Sequence, residues 1–162
     1  MMRRADLVDV WIFRVIEGAP EILLLHRAVH RVLPGLWQGV SGLVEQDETI
    51  TEAALRELRE ETELRTDEIE AFFHLDYVAE FLWEPADSLM TSVYFAVRVP
   101  PIWQPILSDE HDDYRWLPLD HALREAVWPG YREALVRLRE NVLDPQRAAW
   151  FQLSLGGERL RQ

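Results

Sequence analysis

The chain has 162 residues, a length that suits one domain with a substantial core. Its 48% hydrophobic and 28% charged residues are an ordinary globular balance, and a formal net charge of −12 argues against general binding to a nucleic-acid backbone. There is no cysteine and no lysine, which excludes disulfides, zinc-thiolate centres, thiol nucleophiles, Schiff-base chemistry and a P-loop lysine.

The opening stretch MMRRADLVDVWIFRV scatters Arg and Asp through its apolar residues, so it reads as neither a signal peptide nor a membrane span. A cytoplasmic protein is the expectation. Leu7–Ile16 alternates and is rich in Val, Ile, Trp and Phe, the pattern of a strand. Glu17-Gly18-Ala19-Pro20 reads as a turn and residues 21–27 as a second strand, completing a hairpin that ends on Arg27. Leu33-Pro34-Gly35 breaks the chain, and Trp37-Gln38 opens a segment that leads into GLVEQDETITEAALRELREETEL, residues 42–64.

Composition makes residues 49–63 a helix. Thr49 is placed to cap it, and Glu52 stands where a capping box needs an acid. At about 100° per residue, Ile50, Ala54, Leu55 and Leu58 form an apolar stripe, with Glu52, Arg56, Arg59 and Glu63 towards solvent. Glu57, Glu60 and Glu61 fall together in the adjoining sector. Three clustered carboxylates repel one another, and a hard divalent cation such as Mg²⁺ or Mn²⁺ relieves that repulsion.

Beyond the helix, residues 68–84 read as one long aromatic strand or two divided by a bulge, and residues 89–99 as a partner strand stopped by Pro100-Pro101. Phe81, Trp83 and Tyr94 could wall a flat ring. Residues 102–113 read as an acidic loop, 114–117 as a short strand, and 119–127 and 131–142 as helices. Residues 146–155 read as a short amphipathic helix whose Trp150 and Phe151 would dock on this chain or on a second copy. That divides the chain into a domain over 1–143 and a tail over 144–162.

Gly42, Glu48, Arg56, Glu57, Leu58, Glu60, Glu61 and Leu64 together resemble the Nudix box, matching its residue types and its fixed gaps. Glu63 departs from it, standing where the box has its second glycine. The Trp37-Gln38 opening resembles the dihydroneopterin triphosphate pyrophosphatase branch. The resemblance implies an α/β/α sandwich with a mixed sheet, and hydrolysis of a pyrophosphate bond in a nucleoside or pterin triphosphate or another nucleoside diphosphate linked to a group X. It implies Glu57, Glu60, Glu61 and the Gly42 carbonyl as ligands of Mg²⁺ (or Mn²⁺), Glu110 as the residue that completes the metal site or serves as base, Glu57 as the other candidate base, and Arg56 holding the carboxylates. Arg27 would meet phosphate, Glu48 would support the site, and Trp37, Phe81 and Tyr94 are candidates for the substrate side. A homodimer is a family-level expectation. The competing reading is a binding module that senses a nucleotide metabolite without turning it over, which a broken box would favour.

Overall fold

The computed structural model describes residues 4–155. Strand β1 (Leu7–Ile16) is its central element, because it alone joins the two halves of the sheet. It pairs antiparallel with β2 (Ala19–Arg27) and β4 (Val40–Leu43) on one side, and parallel with β6 (Ser88–Arg98) on the other. The short β3 (Trp37–Gln38) and β7 (His111–Pro118) pair with β2, while β5 (Ala71–Trp83) pairs with β6 and carries β8 (Gln152–Leu153) on its far edge. The sheet is therefore mixed.

Alternation along β1 gives the two layers. Val8, Val10 and Ile12 face one core with Ala54 and Leu58 of helix α1 (Ile50–Thr62). Trp11 and Phe13 face the other, built with α2 (Leu119–Glu125) and α3 (Pro129–Arg137), which supply Ala122, Tyr131 and Leu135. Each core removes its strand face from water, the main favourable contribution to folding.

Helix α1 starts as its sequence directs. The Glu52 N–H donates to Thr49 Oγ1 at 3.2 Å, and the Thr49 N–H donates to Glu52 Oε2 at 2.9 Å. It ends at Glu63, which takes the left-handed conformation (φ 57°) and donates its N–H to the Arg59 carbonyl. A side chain in that conformation costs roughly 1 kcal/mol relative to glycine. The turn keeps its shape without the glycine.

Of the two readings of residues 68–84, the structure has the single strand, Ala71–Trp83, with a register irregularity between His74 and Val78, where Asp76 has φ 51°. Two other sequence expectations change. Strand β7 begins at His111 and not at residue 114, because Arg27 and His111 pair across a bulge. The tail is helical only over α4 (Ala148–Phe151) and then turns into β8, which pairs with Phe72 and Phe73. Phe151 packs against His74 with ring centroids 5.4 Å apart, while Trp150 is 84% exposed. Gly156-Gly157 lie outside the described residues. Among those described, no helix is long and apolar enough to cross a membrane.

Candidate metal and phosphate site

The chemistry gathers where β4 runs past α1. On the helix, Glu57 and Glu61 are buried with Ala54 and Leu58, so two carboxylates sit against the core edge. Burial raises the pKa of both above the usual carboxylate range. For Glu61 the charges of Glu110 and Glu57 push the same way. Gly42 leaves the space that this carboxylate fills, because a Cβ at that position would lie 2.1 Å from the Glu57 carboxyl carbon and from its Oε1.

Arg56 does not face solvent as the helical wheel suggests; only 16% of its side chain is exposed. The guanidinium is drawn inward by a ring of acceptors. Nε and Nη2 form a fork on Glu48 at 3.0 and 2.6 Å, Nη1 donates to Glu57 Oε1 at 2.7 Å and Glu60 Oε2 at 3.0 Å, and Nη2 also donates to the Leu43 carbonyl. The hydrogen bond from Arg56 holds the Glu48 carboxyl below its usual range. Glu60 itself is outward-facing, with 58% of its side chain exposed, and reaches the cluster through Arg56.

The late loop completes the group. Glu61, Glu110 and His111 each bring a ligand-type atom within 4.8 Å of the others. The Ser41 N–H donates to Glu61 Oε2 at 3.2 Å, but Glu61 Oε1 and His111 Nδ1 are buried with no hydrogen-bond partner and lie 3.7 Å apart. A buried carboxylate oxygen left unsatisfied among like charges is costly. The Glu61 and Glu110 carboxylates supply hard oxygen donors here, which fit a small divalent cation. His111 is held neutral, its pKa lowered to about 4 chiefly by burial. Gln38 Nε2 lies 2.9 Å from His111 Nε2, and the Tyr131 hydroxyl donates to Gln38 Oε1, which aims the amide NH₂ at the imidazole and leaves the ring proton on Nδ1 beside Glu61.

Beside this cluster, on the opposite sheet face, lies a cleft of about 800 Å³, within the usual range for small-molecule sites. Arg27, Gln38, Ser41 and Gly42 line its polar end, and Phe81, Trp83 and Tyr94 line the remainder with other apolar residues. Arg27 donates from Nε and Nη2 to the Val32 carbonyl, which fixes its guanidinium there. Trp37 and Glu48 are placed elsewhere. Trp37 is stacked under the Arg115 guanidinium (4.4 Å) and beside His26 (4.7 Å), and Glu48 serves Arg56 and the Glu45 N–H.

One residue of the cleft escaped sequence reading. Asp9 is 7% exposed, lines the cleft, and accepts a hydrogen bond from the Ser92 hydroxyl, with Ser41 opposite it on β4. Its signal was available: a lone carboxylate inside the apolar run of β1. Burial lifts its pKa from 3.8 to about 6. The folded state thus holds this proton more tightly than the unfolded chain, so ionising Asp9 costs stability as pH rises through that window. Relative to wild type, Asp9→Asn should gain about 3 kcal/mol of stability between about pH 4 and pH 7, read from urea unfolding across pH. Parallel stability curves would contradict this.

The NUDIX domain family matches residues 6–138. The chain belongs to the NUDIX family. Over 123 residues it is 31% identical to the dihydroneopterin triphosphate diphosphatase of Escherichia coli K12, covering 68% of this chain and 77% of that one. Over 128 residues it is 37% identical to an octanoyltransferase of Myxococcus xanthus, covering 76% of this chain but only 34% of that relative, about a third of its length. The fold is similar to that of a C. elegans Ap4A hydrolase (TM-score 0.71, 23% identity, 84% of this chain and 96% of the other). The NUDIX domain is that of a pyrophosphohydrolase, and its helix α1 is the one that carries Arg56, Glu57, Glu60 and Glu61.

Proposed function

We propose that this NUDIX domain hydrolyses the pyrophosphate linkage of a nucleoside or pterin triphosphate, or of a related nucleoside diphosphate joined to a further group, and that it does so with Mg²⁺ or Mn²⁺. The observation that carries the reading is the unsatisfied, buried Glu61 Oε1 in a carboxylate cluster beside the cleft. When bound, a divalent cation supplies charge neutralisation at phosphate oxygens and a more acidic water.

In this reading Glu57, Glu60, Glu61 and Glu110 hold the cation, with the Gly42 carbonyl as a further oxygen. Arg56 keeps Glu57 and Glu60 turned towards one another through a shared Nη1. Glu57 or Glu110 takes the proton of the attacking water. Arg27 meets substrate phosphate in the cleft, while Phe81 and Tyr94 flank the ring. Reactions of this kind depend mostly on positioning and charge stabilisation. Glu57→Gln should therefore lower kcat by about 10²-fold or more with little change in thermal stability. Wild-type turnover in that variant would refute the assignment.

The E. coli relative acts on dihydroneopterin triphosphate, which supports a triphosphate bearing a flat ring as substrate. The exposed Trp150 beside the edge strand β8 supports a homodimer through the tail. Light scattering should give twice the 19.1 kDa chain mass, and a single-chain mass would dispose of the dimer.

A further inference from the structure

We infer that Asp9 reads the ring of the substrate, and that the ring it fits presents two adjacent N–H donors, the amino-lactam edge shared by guanine and pterins. The inference rests on the reading of the cleft as a site for a ring-bearing phosphate compound, and it names the ring.

Geometry carries it. Asp9 pairs with Ser41 of β4, one residue from the Gly42 backbone that touches Glu57. Its side chain shares the sheet face of Trp11 and Phe13, away from α1, and so enters the cleft on the side opposite the carboxylate cluster. Ser92 donates its hydroxyl to Oδ2 and Ser41 stands opposite across the β1–β4 ladder, which anchors the carboxyl in one orientation. Each carboxylate oxygen has two acceptor directions, so anchoring by the Ser92 hydroxyl leaves acceptor capacity for a bidentate contact. Around it the cleft is largely apolar and aromatic, with Tyr94 and Tyr131 beside the carboxyl.

The chemistry of the ring follows. Above its pKa of about 6 Asp9 offers acceptors only. The amino-lactam edge answers with a ring N–H and an exocyclic NH₂ side by side. Adenine and cytosine set one donor beside a ring-nitrogen acceptor, and uracil sets its N–H between two carbonyls. Each of these would leave part of a buried carboxylate facing an acceptor, and a site built on hydrogen bonding rejects such a mismatch strongly.

The test is calorimetric titration in chelator, which removes any dependence on turnover. Wild type should bind guanosine monophosphate at least about tenfold more tightly than adenosine monophosphate, and Asp9→Asn should erase that ratio, since one acceptor becomes a donor. Dihydroneopterin in the same titration distinguishes a pterin from a guanine site. Equal binding of the three ligands by wild type, or an unchanged ratio in Asp9→Asn, would overturn the inference. Ser92→Ala, which frees the carboxyl to turn, gives a second reading: it should lower the ratio at least about threefold, and an unchanged ratio there overturns the inference equally. A ring preference that depends on Asp9, in a protein that cleaves no phosphate ester or anhydride, would sustain the inference and remove the hydrolase reading.

Discussion

Gly42→Ala is expected to lower kcat/KM by about 10²-fold or more while the protein still folds. The added methyl would lie 2.1 Å from Glu57 Cδ and Oε1 and 2.6 Å from Oε2, so the carboxylate must swing away. The backbone is held here, because Gly42 is paired with Val8 in the β1–β4 ladder. The Glu57 side chain can give, and its displacement also breaks the 2.7 Å bond from Arg56. The loss should appear in kcat, with circular dichroism unchanged. A Gly42→Ala protein of normal activity would show that Glu57 need not sit against this strand.

Arg56→Ala is the other large effect, and it should reach stability as well as activity. The guanidinium is the shared partner of Glu48, Glu57 and Glu60, and the side chains of Glu48 and Glu57 are only 13% and 11% exposed. Removing it leaves carboxylates facing each other without a cation, which for a largely buried pair costs about 3 kcal/mol. Arg56→Lys should restore little, because an ammonium cannot reproduce the fork on Glu48 together with the contact to the Leu43 carbonyl. Urea unfolding measures this directly. A midpoint equal to wild type in Arg56→Ala would mean that the cluster relaxes at no cost.

How far these features could be read in advance depended on the range of the interactions that set them. Alternation alone placed Leu7–Ile16, and the Thr49–Glu52 capping box placed the start of α1, because both are local. Glu57 and Glu61 follow from helical spacing, yet the same spacing put Arg56 in solvent. Its true position is set by Glu48 and the Leu43 carbonyl, which lie outside the helix. The early start of β7 and the terminal strand β8 depend on partners distant in sequence, Arg27 in one case and Phe72 and Phe73 in the other. An acidic stretch such as Glu110-His111-Asp112-Asp113 gives no sign that His111 lies 3% exposed beneath Gln38. Asp9 was legible in principle, as a charge in an apolar strand, but its meaning needed the cleft.

The most direct test of the account is release of pyrophosphate and phosphate from a panel of nucleoside triphosphates, dihydroneopterin triphosphate, ADP-ribose and a dinucleoside tetraphosphate. Each is assayed with Mg²⁺, with Mn²⁺ and with chelator, using wild type and Glu61→Gln. The account predicts turnover of at least one ring-bearing triphosphate that chelator abolishes and that Glu61→Gln lowers by about 10²-fold or more. Silence across the panel with metal present, or turnover indifferent to chelator and to Glu61→Gln, would contradict it.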